Sequence, residues 1–128
     1  MERGEPGEGV RFARSAAKAA ARYGECPTCS ALLNPVAAEA YALLGDVEGA
    51  AAHAEAAKRP AAMFQSSAWR AMAESADAAV KLAEHDEGGA RALHALSESY
   101  FDAAGQPYWA DRARARATEV AGRASGER

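Results

Sequence analysis

The sequence predicts an all-α fold of five to six helices stacked as antiparallel hairpins, and three observations predict it. Apolar residues recur at intervals of three and four along most of the chain, the period of a helix with one buried face. The stretches between these runs are short and carry helix-ending and helix-starting residues: Gly45-Asp46, Lys58-Arg59-Pro60, Asp86-Glu87-Gly88-Gly89 and Gly105-Gln106-Pro107. Alanine dominates a hydrophobic fraction of 49%, while only 7% of residues are aromatic. Such a composition favours closely approaching helix backbones over a sheet, which draws on β-branched and aromatic residues.

The elements follow in order. Residues 1–9 hold three glycines, a proline and alternating charge, the composition of a loose leader, and residues 123–128 read as a matching tail. Between them, 10–122 form a single helical repeat domain. Phe12, Ala16, Ala20 and Tyr23 make the first stripe, and Gly24 ends it. Val36, Ala40, Leu43 and Leu44 make the second, placed after Asn34-Pro35, a capping residue followed by a proline suited to the first helical position. Phe64, Ala68, Met72, Ala76 and Val80 mark a longer helix. Leu93, Leu96, Tyr100, Phe101 and Ala104 form the next stripe, and Trp109, Ala113, Ala117 and Val120 the last. Short connections make neighbouring helices antiparallel.

An internal repeat supports the stacking. Asp46-Val47-Glu48-Gly49-Ala50-Ala51 aligns with Asp86-Glu87-Gly88-Gly89-Ala90-Arg91, each at the start of a second helix, and Gly105-Gln106-Pro107-Tyr108-Trp109-Ala110 is a weaker echo. Ala50, Ala90 and Ala110 are small residues in a first turn, where they let two helices of a hairpin approach closely.

The same residues carry a family likeness. Tyr41-Ala42-Leu43-Leu44-Gly45-Asp46-Val47-Glu48-Gly49-Ala50, with Ala57 further on, resembles the middle of a tetratricopeptide repeat, and Phe101, Gly105, Ala110 and Ala117 repeat the spacing. The segment from Tyr100 to Arg114 resembles the last repeats of the C-terminal helical-repeat region in large ATP-binding LuxR-type bacterial transcriptional regulators. The resemblance covers residues 35–122 and implies a tetratricopeptide-like interaction module. The chain has no Gly-rich phosphate loop ending in Lys-Ser/Thr and no helix-turn-helix after residue 122, so ATPase activity and DNA binding are not implied.

Net charge is -3 with no long block of either sign, which argues against nucleic acid as a partner, because phosphate binding needs a concentrated basic surface. No apolar run reaches the roughly 20 residues of a membrane span, and no signal-peptide core opens the chain, so the expectation is a cytoplasmic protein with no membrane partner.

Chemistry concentrates in Cys26-Pro27-Thr28-Cys29. After Gly24, Pro27 suits a first helical position, which makes Cys26 an N-cap whose sulfur accepts the Cys29 N–H at the positive end of a helix, lowering its pKa. The spacing resembles a thioredoxin-type redox pair, without the surrounding βαβ pattern. Three readings stand open: two small packed residues, a redox or disulfide pair, and a zinc site. Zinc through Cys26 and Cys29 needs two more ligands, and His53, His85 and His94 form no H-x3-H unit. The histidines, the acids Glu74, Asp77 and Glu84, and Arg112, Arg114 and Arg116 read as solvated or boundary groups. No Ser-His-Asp arrangement is present, and the chain is not expected to be an enzyme.

The leading expectation is therefore a non-catalytic, regulatory module whose first helices line a shallow groove for a protein or peptide partner. Trp69, Tyr41 and Arg70 are its expected contact residues, no cofactor is expected, and the apolar end faces of so short a stack favour a homodimer. The alternatives are a thiol-redox or metal-responsive sensor using Cys26 and Cys29, and a small-molecule pocket lined by Met63, Phe64, Trp69 and Tyr100.

Overall fold

The computed structural model describes residues 5–126 as six helices: α1 (Pro6–Tyr23), α2 (Pro27–Leu43), α3 (Val47–Phe64), α4 (Ser67–Ala83), α5 (Glu87–Ala103) and α6 (Pro107–Gly126). Among the described residues there is no strand. Consecutive helices pack as antiparallel neighbours, and α2 also packs beside α4. The chain thus forms two layers, with α2, α4 and α6 in one and α3 and α5 in the other. Helix α1 leans on α2 at one end.

The turns recur with a shared construction. Gly45, Gln65, His85 and Gly105, spaced by about 20 residues, all have a left-handed backbone, with φ of 77°, 48°, 63° and 69°. At three of them the following residue bonds back across the helix end: Asp46 N–H to Tyr41 O at 3.0 Å, Asp86 N–H to Lys81 O at 2.8 Å and Gln106 N–H to Phe101 O at 2.9 Å. The next helix starts at once. The Asp46 carboxylate accepts the Gly49 N–H at 2.8 Å, the Asp86 carboxylate accepts the Gly89 N–H at 2.9 Å, and the Ser66 hydroxyl accepts the Trp69 N–H at 3.4 Å.

The repeated glycine has a steric cause. A Cβ on Gly49 would lie 2.6 Å from Cδ1 of Tyr41 and 3.0 Å from the Asp46 carboxylate, and one on Gly89 would overlap the Asp86 carboxylate. The aspartate that caps the helix folds over the position three residues later, and only glycine leaves room for it.

The core is alanine. Ala38, Ala54, Ala57, Ala73 and Ala76 form one cluster across α2, α3 and α4, with Val80 against it. Ala71, Phe101, Ala110 and Ala113 form a second across α4, α5 and α6, joined by Met72 and Tyr100. Ala50, Ala90 and Ala110 are all buried, as close approach at the hairpin turns requires. The largest fully buried side chain is Ser97, whose hydroxyl donates to the Ala71 carbonyl at 2.7 Å and so satisfies a polar group inside the α4–α5 contact.

The structure departs from the sequence reading at several boundaries. Helix α1 begins at Pro6, inside the stretch assigned to a loose leader, because Pro6 suits the first turn and Val10 and Ala13 bury against the stack. Helix α6 runs past residue 122 to Gly126. The leader and tail residues 1–4 and 127–128 lie outside the described residues. Helix α2 starts at Pro27 and contains Pro35, and α3 contains Pro60 as a buried residue. Each internal proline removes one backbone donor, but each helix has a better start or stop elsewhere: the Cys26 cap for α2 and the Gln65-Ser66 turn after α3. Phe64 consequently ends α3, half exposed, and does not belong to α4. Phe12 and Tyr23, read as part of a buried stripe, are 69% and 77% exposed.

Two substitutions test the turn construction by thermal unfolding. His85→Gly relieves a left-handed backbone in a non-glycine residue and is expected to raise stability by about 0.5–1 kcal/mol. Gly49→Ala, which helix propensity alone would favour, is expected to lower it by about 1 kcal/mol or more as the Asp46 cap and Tyr41 are pushed aside.

Candidate functional site

The layer of α2, α4 and α6 forms one wall-to-wall groove. Its upper half is a cleft of about 290 Å³ where Leu32, Pro35 and Val36 of α2 face Tyr108, Trp109 and Arg112 of α6 over Met72 and Phe101. Leu32 is 59% and Trp109 is 39% exposed, so large apolar side chains meet here without being covered. The Trp109 ring stacks on Phe101 at 6.1 Å and meets Tyr108 edge-on at 5.3 Å. Arg112 lies over both the Trp109 and Tyr108 rings, at 5.6 and 5.8 Å.

The lower half, about 320 Å³, is lined by Glu39, Ser75, His94, Arg116, Glu119 and Arg123 among others. Glu39, Ser75 and Arg116 border both halves. Arg116 on α6 reaches across α4 to Glu39 on α2, its Nη2 lying 3.2 and 3.1 Å from the two carboxylate oxygens, while Nη1 donates to the Ser75 hydroxyl at 3.2 Å. A bond spanning the outer helices over the middle one requires the layer to curl, so the groove is concave.

His94 stands out inside this layer. It is 3% exposed, and its Nδ1 has no hydrogen-bond partner among the described residues. Burial holds its pKa down, and the Arg116 charge lowers it further against a smaller opposing pull from Glu39, to about 4. The imidazole is therefore neutral near pH 7. In the 40-residue register that aligns Asp46 with Asp86, the counterpart of His94 is Ala54, an ordinary buried alanine.

The residues expected to line the groove sit elsewhere. Tyr41 belongs to the α2–α3 contact, stacked on His53 with ring centroids 5.3 Å apart. Arg70 lies over the Tyr100 ring at 5.0 Å and lines a separate hollow between α3 and α4. Trp69, half-buried in the first turn of α4, is not among the groove residues. Its register mate Trp109 is. Met63, Phe64, Trp69 and Tyr100 line neither half: Met63 and Phe64 lie half-exposed at the end of α3, and Tyr100 lies under Arg70. His53, read as solvated, is half-buried and bonds Asn34 Oδ1 through Nδ1 at 2.9 Å. The arginines separate: Arg114 pairs with Glu98 and Asp111 at the surface, and Arg116 turns into the groove.

A second feature lies at the α1–α2 corner. Cys26 is the N-cap of α2, its sulfur accepts the Cys29 N–H at 3.3 Å, and the two cysteines are joined as a disulfide with Cα atoms 5.2 Å apart. Both are exposed, at the rim of an apolar channel of about 510 Å³ between α1, α2 and α3. Among the described residues no group of three or more His, Cys, Asp or Glu side chains is gathered to hold a metal ion. No helix among them is long and apolar enough to cross a membrane.

Comparison with protein-family models, with curated proteins and with solved structures finds no match for the chain.

The buried neutral His94 sets an acid dependence of stability. An unfolded chain protonates this histidine near its ordinary value of 6.5, whereas the folded protein resists protonation until about 4. The stabilisation is complete above pH 6.5 and declines as pH falls towards 4, by up to about 3 kcal/mol. The half-buried His53, also shifted downward by burial, adds a loss of the same sign. Denaturant melts across this range are expected to show the slope, and His94→Leu is expected to remove most of it.

Proposed function

We propose that the chain is a non-catalytic, regulatory helical-repeat module whose concave groove binds a segment of a protein partner. One observation supports this above the others: Leu32, Val36, Tyr108 and Trp109, all large and at least 39% exposed, converge from two helices on a single cleft. A monomer gains nothing from leaving such side chains uncovered, and clustered exposed apolar surface is the mark of an interaction site. Trp109 is the natural anchor, seated on Phe101 and flanked by the Arg112 guanidinium. The groove is formed by the first helices of successive hairpins, the face that helical stacks use for extended ligands.

The reading is tested by selecting displayed random peptides on the purified protein and measuring their affinity by calorimetry. Selected peptides are expected to lose about tenfold or more in affinity on Trp109→Ala and on Val36→Glu, with the helical circular dichroism unchanged. Peptides that bind both variants as well as the parent would place the interaction elsewhere and remove this reading.

A second reading, a thiol-redox sensor, is favoured by the exposed Cys26–Cys29 bond. Exchange with an external dithiol would transfer two electrons and two protons to the pair and leave the donor as a disulfide. The Cys29 N–H and the helix terminus would stabilise the released Cys26 thiolate. The pair holds the corner between α1 and α2, the helix on which α1 packs, so its state would bear on how α1 is seated. Zinc on the reduced pair would need its remaining ligands from a second chain. Intact-mass measurement with iodoacetamide is expected to give no adduct before dithiothreitol and two after it. Two adducts before reductant, or none after, would end the sensor reading.

A further inference from the structure

Resting on the reading of the groove as the binding surface, we propose that its centre is a carboxylate-recognition site. Arg116, Ser75 and His94 receive the carboxylate of a ligand whose apolar part lies against Met72, Phe101 and Trp109, and Glu39 is the internal occupant that the ligand displaces.

Three independent features lead to this assignment. The first is the quality of the resident ion pair. Arg116 meets Glu39 end-on, with one nitrogen shared by both oxygens and the other terminal nitrogen given to Ser75. The parallel two-nitrogen fork, the strongest guanidinium–carboxylate geometry, is not formed. Glu39 is tethered to α2, and its backbone position limits how it can present its oxygens. A carboxylate arriving from the open groove has no such tether.

The second feature is His94, a buried imidazole whose Nδ1 finds no partner among the described residues and which borders the same half-groove as Arg116 and Ser75. The equivalent position in the preceding hairpin is Ala54, so the fold does not require an imidazole here. Leaving a buried polar atom unbonded costs stability, and a ligand oxygen would recover that cost. A neutral imidazole beside a guanidinium supplies a donor without adding a second positive charge. Donors of both kinds can then address a single anion.

The third feature is the surroundings. On one side of the Arg116–Glu39 bridge the wall is mostly apolar and aromatic, with Arg112 as its further charge, and on the other Leu43, Leu82 and Val120 are mixed with Glu119 and Arg123. The bridge lies where the largely apolar cleft gives way to a more polar, mixed wall. A ligand with its acid group next to an apolar group matches that boundary. The shared chemistry has two sources, a free small acid or an acidic side chain of a bound segment.

The experiment is a titration of isotope-labelled protein followed by amide and histidine-ring resonances. The probes are 3-phenylpropionate, its neutral amide, and the blocked dipeptide acetyl-Phe-Glu-amide, whose only carboxylate is on the side chain. Both acids are expected to shift resonances of residues 39, 75, 94 and 116, with the amide at least about tenfold weaker, as loss of a charge-assisted pair implies. Tighter binding of the free acid assigns the site to a small molecule, and tighter binding of the dipeptide assigns it to a partner's side chain. Glu39→Gln is expected to tighten both acids about three- to tenfold by removing the competitor, and Arg116→Gln to reduce them at least about tenfold. The gain on Glu39→Gln cannot come from misfolding, and circular dichroism checks the fold of Arg116→Gln.

Equal binding of acid and amide in the cleft would overturn the carboxylate site while leaving the groove as a binding surface. Unchanged or weaker acid binding by Glu39→Gln would overturn the displacement. The absence of any shift at these residues with either acid would overturn the site, and the peptide selection described above would then decide the groove reading separately.

Discussion

Close approach of helix backbones is the constraint on which the structure depends. With alanine at nearly every fully buried position, the helices gain little from any one side chain and must collect their stability from many short contacts along their length. That arrangement tolerates no bulk at the contact points. It explains why Ala38, Ala50, Ala71, Ala78 and Ala90 are fully buried, and why the largest side chain less than 2% exposed among the described residues is a serine that bonds a backbone carbonyl. Dense packing of small residues also leaves little room in the core for larger apolar ones beyond Val10, Phe101 and Val120, and many of the rest are exposed. Several of these collect in the groove.

The turns serve the same constraint. A left-handed residue at 45, 65, 85 or 105, followed directly by a capping residue or its equivalent, reverses the chain in the shortest span and sets the next helix tightly against the last. The Asp-x-x-Gly-Ala pattern carries two demands at once. Glycine makes space for the capping carboxylate, and alanine makes space for the neighbouring helix. His85 takes a conformation that Gly45 and Gly105 adopt without strain, and Gln65 shares its position, so the turn geometry is imposed by the stack and not by the local residue alone.

The groove is where this regularity is broken. Most polar side chains in the described structure lie outside and pair loosely along or between helices, as Lys58 does with Glu55 and Asp77 and Lys81 with Glu84. Exposed pairs of that kind contribute little to stability. Arg116 and Glu39 differ: each side chain is about one quarter exposed, and together they cross the full width of the layer. With His94 beneath, the second hairpin carries polar groups where the first, at Ala54 and Ala57, carries none, although Ser97 is satisfied and His94 is not. Of the two departures from the repeat, Ser97 is absorbed in the α4–α5 contact and His94 borders the open face.

By itself the sequence determined the helical class, the antiparallel stacking, the hairpin turns at 45, 85 and 105, and the cap at Cys26 with Cys29 one turn on. Each of these is local: periodicity, a capping side chain and a left-handed residue act within a few positions of one another. Tertiary structure decided the rest. Pro35 and Pro60 look like boundaries but lie within helices, because stronger starts and stops compete with them nearby. Trp69 and Trp109 share a register, yet only Trp109 enters the cleft, and Tyr41 and Arg70 turn to other helices. Arg116 could not be told from Arg112 and Arg114 until α6 was set across α4 from Glu39, since a pairing over 77 residues leaves no trace in local spacing. Burial of His94 likewise follows from the curl of three helices around it, and no pattern along one helix encodes that.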